Sequence, residues 1–535
     1  MNNTYKRFGI MADCSRNGVM NVSTVKLLID CLVKAGYNAL ELYTEDTYEV
    51  EGEPYFGNRR GKYSVRELQE IDAYARNRGV ELIPCIQTLA HFTALVKQPH
   101  YAEIIDVNDI LLIDDDKTYD LIDKIFSTLS HTFTSRNVNI GMDEAHFVGL
   151  GKYLDKNGYH TPFELLSKHL EKVNEIAKKY DFHCHMWSDM YFRPINHGLY
   201  YGENLHVPEQ VRQSVPEDII LTYWDYYHNK KEIYDDMLRA HKEFSREIWF
   251  AGGGWTWNGF APLSEHALIT MRPAMESIRD NGIENVLIAL WGDNGKECSF
   301  FSVLPVLFAI RQYADGVFDD ELIKKRFWDA FGLNYNDFLL LSLPNYTSYN
   351  HTDGLTVENP CKSLLYADCF SGIFDDVVES LPPVAYSEYA EKLRTAAQHA
   401  NDFAYLFTTA AALCDVMQLK YSLGVRTRKA YLSHDIAALK TLVKDYEKTE
   451  NNLKTFYFSF RALWYRENKP YGFEIQEARL GGLMLRLSSC RERLTLYSDG
   501  KINCIDELEE TPLHYASDER IYCNEYDKII SASVL

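Results

Sequence analysis

Val138-Asn139-Ile140-Gly141-Met142-Asp143-Glu144 is an apolar run that stops at two adjacent carboxylates, with Ala145-His146-Phe147 directly behind it. Charged groups where a buried strand ends are costly unless they are paired or employed. In a barrel of parallel strands, that end of the strand is the catalytic face. Side chains alternate along a strand, so Asp143 and Glu144 should face different ways and take different tasks. The plain alternative is an acidic first turn of a helix, where Asp and Glu are common. The surrounding chain decides between the two.

Outward from this segment, the first 310 residues or so repeat one theme of short apolar strand, loop and amphipathic helix. Expected strands are Phe8–Ala12, Ala39–Tyr43, Glu81–Cys85, Val138–Met142, His183–Trp187, Ile219–Trp224, Ile248–Ala251 and Val286–Trp291. The intervening helices carry clear end signals. Ser64-Val65-Arg66-Glu67 and Thr161-Pro162-Phe163-Glu164 are capping boxes, the second with Pro at the first helical position. Gly36, Gly79 and Gly282 stand where helices should stop. Eight strands alternating with helices over about 250 residues or more predict an α/β fold, a (β/α)8 TIM barrel. A doubly wound sheet is the structural alternative, but no G-x-G-x-x-G follows the first strand.

Beyond about residue 315 strand-like runs disappear. Helices are expected at Glu321–Phe331, Ser387–Asp415, Val416–Leu432, Asp435–Asn468 and Phe473–Tyr497, with a junction loop over Leu343–Pro360. The expected organisation is therefore a catalytic barrel, residues 1–315, followed by a mainly α-helical C-terminal domain, residues 316–535.

The chain has 535 residues, 56 basic against 77 acidic, for a formal net charge of −21. That balance argues against a nucleic-acid or anionic-membrane partner, since phosphate binding needs positive charge. No run of 18 or more apolar residues exists, so no membrane helix is expected. The first residues, MNNTYKRFGIMADCSRNG, lack an apolar leader and lead straight into the first strand. The 11 Cys are scattered without a C-x-x-C pair and read as reduced, mostly core thiols; a cytoplasmic location is expected. Nothing in the sequence calls for a cofactor or a metal, and the oligomeric state is left open.

The strand ends should hold the functional residues. They read Asp13-Cys14-Ser15-Arg16, Tyr43-Thr44-Glu45-Asp46, Gln87 to His91, Asp143-Glu144, Trp187-Ser188-Asp189, Trp224-Asp225-Tyr226-Tyr227, Gly252 to Trp257, and Trp291-Gly292-Asp293-Asn294. The last four strands bring five of the eight Trp (Trp187, Trp224, Trp255, Trp257 and Trp291) and two Tyr (Tyr226 and Tyr227) to one end. Aromatic walls with Asp, Arg and His at their edges suit a sugar, whose ring faces pack on aromatics while its hydroxyls take the polar groups. A retaining glycosidase with two enzyme carboxylates needs them about 5 Å apart on facing elements. Strand seven ends in Gly and Trp, with no carboxylate, although Asp225 and Asp293 remain possible partners. One acid with a second beside it fits a substrate-assisted mechanism, in which the sugar's 2-acetamido oxygen attacks the anomeric carbon.

At these residues the chain resembles glycoside hydrolase family 20, the exo-β-N-acetylhexosaminidases, and within it a bacterial branch that begins with the barrel and ends in a helical domain. The segment Asn139 to Glu144 matches the family's His/Asn-x-Gly-x-Asp-Glu signature. Tyr43–Ser64 and Gly472–Leu483 are also similar to that branch. The resemblance implies that Glu144 is the general acid/base and that Asp143 holds the acetamido N–H. It implies that Arg16 binds the O3 and O4 hydroxyls, and that Asp46 and His91 form a supporting pair reaching toward Glu144. Trp187, Trp224, Trp255, Trp257 and Trp291 would form the pocket wall. Tyr226 or Tyr227 would donate to the acetamido carbonyl, and Asp293 would accept from O4 or O6. The substrates would be glycans or oligosaccharides with terminal β-linked GlcNAc or GalNAc. The chain departs from the commoner motif at Asn139 and Met142, where His and Gly are usual.

Two rivals stand beside this reading. One is a metal-dependent barrel hydrolase, built on His183-x-His185 with His91, Asp143 and Asp293. The other is a non-catalytic sugar-binding barrel, against which the retention of Asp143, Glu144 and Arg16 argues.

Overall fold

A computed structural model describes residues 5–244, 247–347, 357–515 and 520–533. Eight parallel strands close into a barrel: β1 (Arg7–Asp13), β2 (Ala39–Tyr43), β3 (Glu81–Cys85), β4 (Asn137–Asn139), β5 (His183–Trp187), β6 (Ile220–Trp224), β7 (Ile248–Gly253) and β8 (Asn285–Leu290). Each pairs with its neighbours in sequence, and β8 returns to β1 with Phe8 opposite Val286 and Ile10 opposite Ile288. The strands are almost wholly buried because helices cover the outside and side chains fill the inside. The inner layers include Ala39, Ile83, Trp187, Trp249, Ala251 and Leu287.

The helix signals act as their chemistry requires. Ser64 and Thr161 each accept the N–H three residues on, and Glu67 and Glu164 reach back to the cap backbone. Those caps start Val65–Asn77 and Pro162–Lys179. The first helix runs Val22–Ala35, capped by Asn21 and closed by Gly36 at φ +86°.

The chain divides into two compact units. The first comprises residues 1–254, 267–291 and 307–319, and contains the barrel. The second comprises residues 255–266, 292–306 and 320–535. Its main helices are Asp320–Phe331, Tyr386–Ala397, Ala404–Lys420, Leu423–Leu432, Ile436–Glu467 and Phe473–Ser498. Inside it Glu297 is buried between Lys362 Nζ (3.1 Å) and Arg479 (3.0 Å).

Three expectations are corrected. β4 stops at Asn139 rather than Met142, because the backbone turns left-handed at Gly141. The single helix expected over Ser387–Asp415 is two, broken near Asn401, whose φ is +48°. The boundary expected between Asp415 and Val416 does not exist, since Ala404–Lys420 runs through it. Of the expected junction loop Leu343–Pro360, residues 348–356 lie outside the described residues. No helix among the described residues is long and apolar enough to cross a membrane. All 11 Cys are free, ten of them buried and Cys504 exposed.

Candidate active site

The chemistry begins where β4 ends. Ile140 donates its N–H to the His185 carbonyl at 2.9 Å, and the Trp187 N–H reaches the Gly141 carbonyl at 3.3 Å, so the chain still follows β5. The backbone then adopts φ of +70° at Gly141, +68° at Met142 and +54° at Glu144. Gly141 is required twice over: by its positive φ, and because a Cβ there would meet Gln87 Oε1 at 2.1 Å. Met142 and Glu144 have no such freedom, and holding each left-handed costs about 1 kcal/mol or more. Surrounding bonds impose it. Gln87 Oε1 accepts the Met142 N–H (3.1 Å), while Gln87 Nε2 donates to Asp143 Oδ1 (2.8 Å) and to the Tyr43 hydroxyl (3.0 Å). One amide thus ties the ends of β2, β3 and β4 together. Behind them, the Glu144 N–H donates to Asp189 Oδ2 at 3.3 Å, and Asp189 is held by Arg193 at 3.2 Å.

The two adjacent acids occupy different surroundings. Asp143 is buried and Glu144 is exposed. His91 Nε2 lies 3.1 Å from Asp143 Oδ2. Burial disfavours the charged form of both groups, but their mutual attraction outweighs it. Asp143 is held below the ordinary aspartate value, and His91 is raised to about 9. At neutral pH the site therefore holds an Asp143 carboxylate beside a His91 cation. Gln87 donates to one Asp143 oxygen and His91 lies on the other, and a carboxylate oxygen has lone-pair capacity for more than one donor.

Arg16 is fixed from several sides. It pairs with Asp13 Oδ2 at 3.2 Å and Glu45 Oε1 at 3.3 Å, and its guanidinium lies over the rings of Tyr43 (4.9 Å) and Trp291 (5.2 Å). The Tyr43 hydroxyl donates to Glu45 Oε1 at 3.1 Å. A guanidinium gripped in this way presents a pre-oriented fork of donors.

The expected Asp46–His91 pair is not formed. His91 engages Asp143, its other carboxylate influence is Glu45, and Asp46 pairs with Arg60 at 3.3 Å. Strand alternation no longer governs side-chain direction once the chain has left β2, and the neighbouring residue turns inward instead.

The aromatics also sort themselves. Trp187, 1% exposed, belongs to the inner core with Trp249, beneath the partly buried Trp224 and Trp291. The last β5 residue faces the barrel interior. Its Nε1 has no hydrogen-bond partner among the described residues. Trp291 Nε1 donates to the Tyr226 hydroxyl at 3.1 Å, and Trp224 stacks on Tyr226 at 5.4 Å and 27°. Tyr226 is buried while Tyr227 is 46% exposed, which separates two residues the sequence left equivalent. Trp255 and Trp257 stack on each other at 4.4 Å and 25° within the second unit, where Asp293 also lies.

Asp225 is fully buried and committed elsewhere. Its oxygens accept from the Tyr223 hydroxyl (2.7 Å) and the Tyr227 N–H (3.0 Å), and its Oδ2 lies 2.8 Å from His228 Nδ1. That leaves it poorly suited to be a nucleophile. Of the histidines in the metal reading, His183 is exposed at the start of β5, whereas His185 is buried 3.0 Å from Glu41 Oε1. Asp13, Tyr43, Glu45, Gln87 and Asp189 all join the site. Sequence reasoning placed each at a strand end but gave it no task; strand-end position was the available signal.

A closed parallel barrel whose C-terminal rim carries an ionised carboxylate, a neighbouring exposed one, a fixed guanidinium and aromatic faces has the anatomy of a sugar-processing barrel enzyme. Residues 5–240 match the glycosyl hydrolase family 20 catalytic domain, and residues 336–524 match the glycoside hydrolase 20C C-terminal domain. Together the two matches cover most of the chain, which belongs to glycoside hydrolase family 20. It is 25% identical over 254 residues to a probable β-hexosaminidase of Arthroderma benhamiae, covering 41% of this chain and 38% of the relative. It is 23% identical over 208 residues to the β-hexosaminidase subunit beta of Rattus norvegicus, covering 34% of this chain and 38% of the relative. The chain thus spans under two fifths of the length of either relative. Among solved structures, the Vibrio harveyi exo-β-N-acetylglucosaminidase in complex with N-acetylglucosamine aligns at 17% identity and a TM-score of 0.48, over 61% of this chain and 58% of that one.

Proposed function

We propose that this protein is an exo-acting β-N-acetylhexosaminidase that removes terminal, non-reducing β-linked GlcNAc or GalNAc with net retention at the anomeric carbon. The observation that carries this reading is the divided environment of two adjacent carboxylates. Asp143 is a buried anion backed by Gln87 and His91, and Glu144 stands exposed beside it. A pair of acids pushed apart in this way takes two roles. Asp143 accepts the 2-acetamido N–H, orients the carbonyl oxygen toward the anomeric carbon and balances the positive charge of the oxazolinium that forms. Glu144 protonates the departing glycosidic oxygen, then removes a proton from the water that opens the oxazolinium. His91 keeps Asp143 ionised. Arg16 binds the sugar's ring hydroxyls, Trp224 and Trp291 pack on its faces, and Tyr226 donates to the acetamido carbonyl. From the resemblance alone, Trp255, Trp257 and Asp293 are further proposed sugar contacts. Residues 1–315 would form the catalytic domain and 316–535 the helical one. A cytoplasmic location is proposed too, supported by 11 unbridged cysteines.

The deciding assay compares chromogenic β-N-acetylglucosaminides whose acetyl methyl carries zero to three fluorines. Fluorine weakens the carbonyl nucleophile, so kcat/KM should fall steadily along the series, and the parent β-glucoside should be a very poor substrate. A flat response, or a glycosyl group trapped covalently on a carboxylate, would overturn the mechanism. Early internal cleavage of a chitooligosaccharide would overturn the exo assignment.

A further inference from the structure

Asp189 carries features that the proposed chemistry leaves unused. It sits just beyond β5, at the start of the short helix Asp189–Phe192. It is 0% exposed, yet it reaches the back of the catalytic segment: its Oδ2 accepts the Glu144 N–H at 3.3 Å and the Arg193 Nε–H at 3.2 Å. Its other oxygen, Oδ1, is buried with no hydrogen-bond partner among the described residues. A buried carboxylate with one oxygen unanswered is expensive, and such a group usually answers to function.

We propose that Asp189 is a positioning residue for Glu144: it holds the left-handed Glu144 backbone in place through the amide N–H, and its charge sets the proton affinity of the Glu144 carboxyl. The inference rests on Glu144 being the acid/base. The first half follows from geometry. A non-glycine residue at φ +54° relaxes toward ordinary backbone unless something holds it, and Asp189 is the side chain on the Glu144 amide. The second half follows from charge. A general acid must keep its proton until the leaving oxygen takes it, and a nearby negative charge raises its affinity for that proton.

The surroundings bear on the sign. Burial, then the Asp143 charge, raise the Asp189 pKa to about 7, with Glu144 adding to the rise and Arg193 opposing it. Tyr200 also faces Asp189. His146 lies within the fields of Arg193, Glu144, His91 and Asp143, and its pKa is lowered by burial and then by Arg193. Asp189 is therefore increasingly ionised as pH rises through about 7.

Two variants separate the roles. Asp189→Asn keeps an acceptor for the Glu144 N–H but has no charge, and Asp189→Ala has neither. The measurement is the pH dependence of kcat/KM on a β-N-acetylglucosaminide with a poor leaving group, alongside kcat and KM at pH 6. Asp189→Asn should move the alkaline limb of the profile down by roughly half a unit to one unit, with kcat at pH 6 within a few-fold of the parent. Asp189→Ala should lower kcat by about 10- to 100-fold with KM little changed, as expected when a remote support of the reacting group is lost. An alkaline limb that stays put in the Asn variant, or equal losses in both variants that follow only a lowered Tm, would overturn the proposal. Glu144→Gln is run beside them. If that variant keeps its activity on the same substrate, the assignment of Glu144 has failed. If it is inactive and the Asp189 variants show no shift, only the present inference has failed.

Discussion

Two histidine–carboxylate pairs lie within one barrel. His91 and Asp143 meet at 3.1 Å on the rim, and His185 and Glu41 meet at 3.0 Å inside it. The chemical groups are nearly the same. The outer pair has partial exposure and sits beside an exposed Glu144 and a fixed Arg16. The inner pair is sealed: Trp249 stacks on the His185 ring at 4.1 Å and 22°, Thr222 Oγ1 lies 3.1 Å from its Nδ1, and both side chains are at most 1% exposed. The inner atoms are close, but Glu41 Oε1 and His185 Nε2 are not aligned as a hydrogen bond. In the proposed mechanism access separates a working pair from a structural one, and access comes from the position along the strand. Residues just past the strand end can meet a substrate, whereas Glu41 and His185, two positions before their strand ends, can only hold the barrel.

The contrast can be broken most sharply at the rim. Glu144→Gln should lower turnover of a glycoside with a poor leaving group by about 10²–10⁴-fold while the fold stays intact, and the loss should shrink for a nitrophenyl glycoside. Steady-state kinetics on the two substrates is the check, and equal losses would count against general acid catalysis. Inside the barrel the effect should fall on stability. Glu41→Ala removes a fully buried side chain packed against His185 and should cost about 2–5 kcal/mol, read from the urea midpoint, with the folded fraction still active. If the inner variant instead lost activity at full stability, the division between the pairs would collapse.

The outer pair predicts a pH window. His91 has its pKa raised to about 9 in the folded protein, above its ordinary value of 6.5, so its stabilising contribution is complete below 6.5 and is lost as pH rises through about 9. Asp143 has a lowered pKa, so its contribution is present above its ordinary value of 3.8 and is lost as pH falls below that value. The ion pair should hold between these limits. His91→Gln should remove the alkaline loss of stability near pH 9, which thermal melts across pH 7 to 10 would detect. The smallest effect belongs to the tyrosines. Tyr226→Phe removes a buried hydroxyl that accepts from Trp291 and should cost about 1–3 kcal/mol in combined stability and transition-state binding, whereas exposed Tyr227→Phe should be near neutral. A larger loss at Tyr227 would reverse their roles.

Much of the barrel was legible because its signals are local. Strand runs, capping boxes and helix-ending glycines each act within a few residues, and the eight strands fall where apolar runs placed them. β4 was read too long because Ile140 and Met142 are as apolar as strand residues. Only the approach of Gln87 reveals that Gly141 has turned the chain. The same limit explains Asp46. The order Thr44-Glu45-Asp46 does not say which acid faces Arg16, because that depends on backbone dihedrals past the strand. Gln87 and Asp189 stood at strand ends, yet their partners are 56 and 45 residues away along the chain, a distance over which periodicity carries no information.

The make-up of the second unit has a consequence for a chain emerging from a ribosome. Residues 255–266 and 292–306 belong to it, although they are made long before most of its helices. The Asn294 carbonyl accepts from Arg479, a partner 185 residues downstream, and the Asn258 carbonyl from Asn359, 101 residues downstream. At synthesis rates of about 5–20 residues per second, Asn294 waits roughly 10–40 s for that guanidinium. For the first part of that interval, until Lys362 is made 65 residues on, Glu297, destined to be buried between Lys362 and Arg479, has neither cation available. A polypeptide cut at residue 319 would keep both early segments and never acquire what they fold against. The gene for this chain is therefore poorly divisible at the point where its strands end.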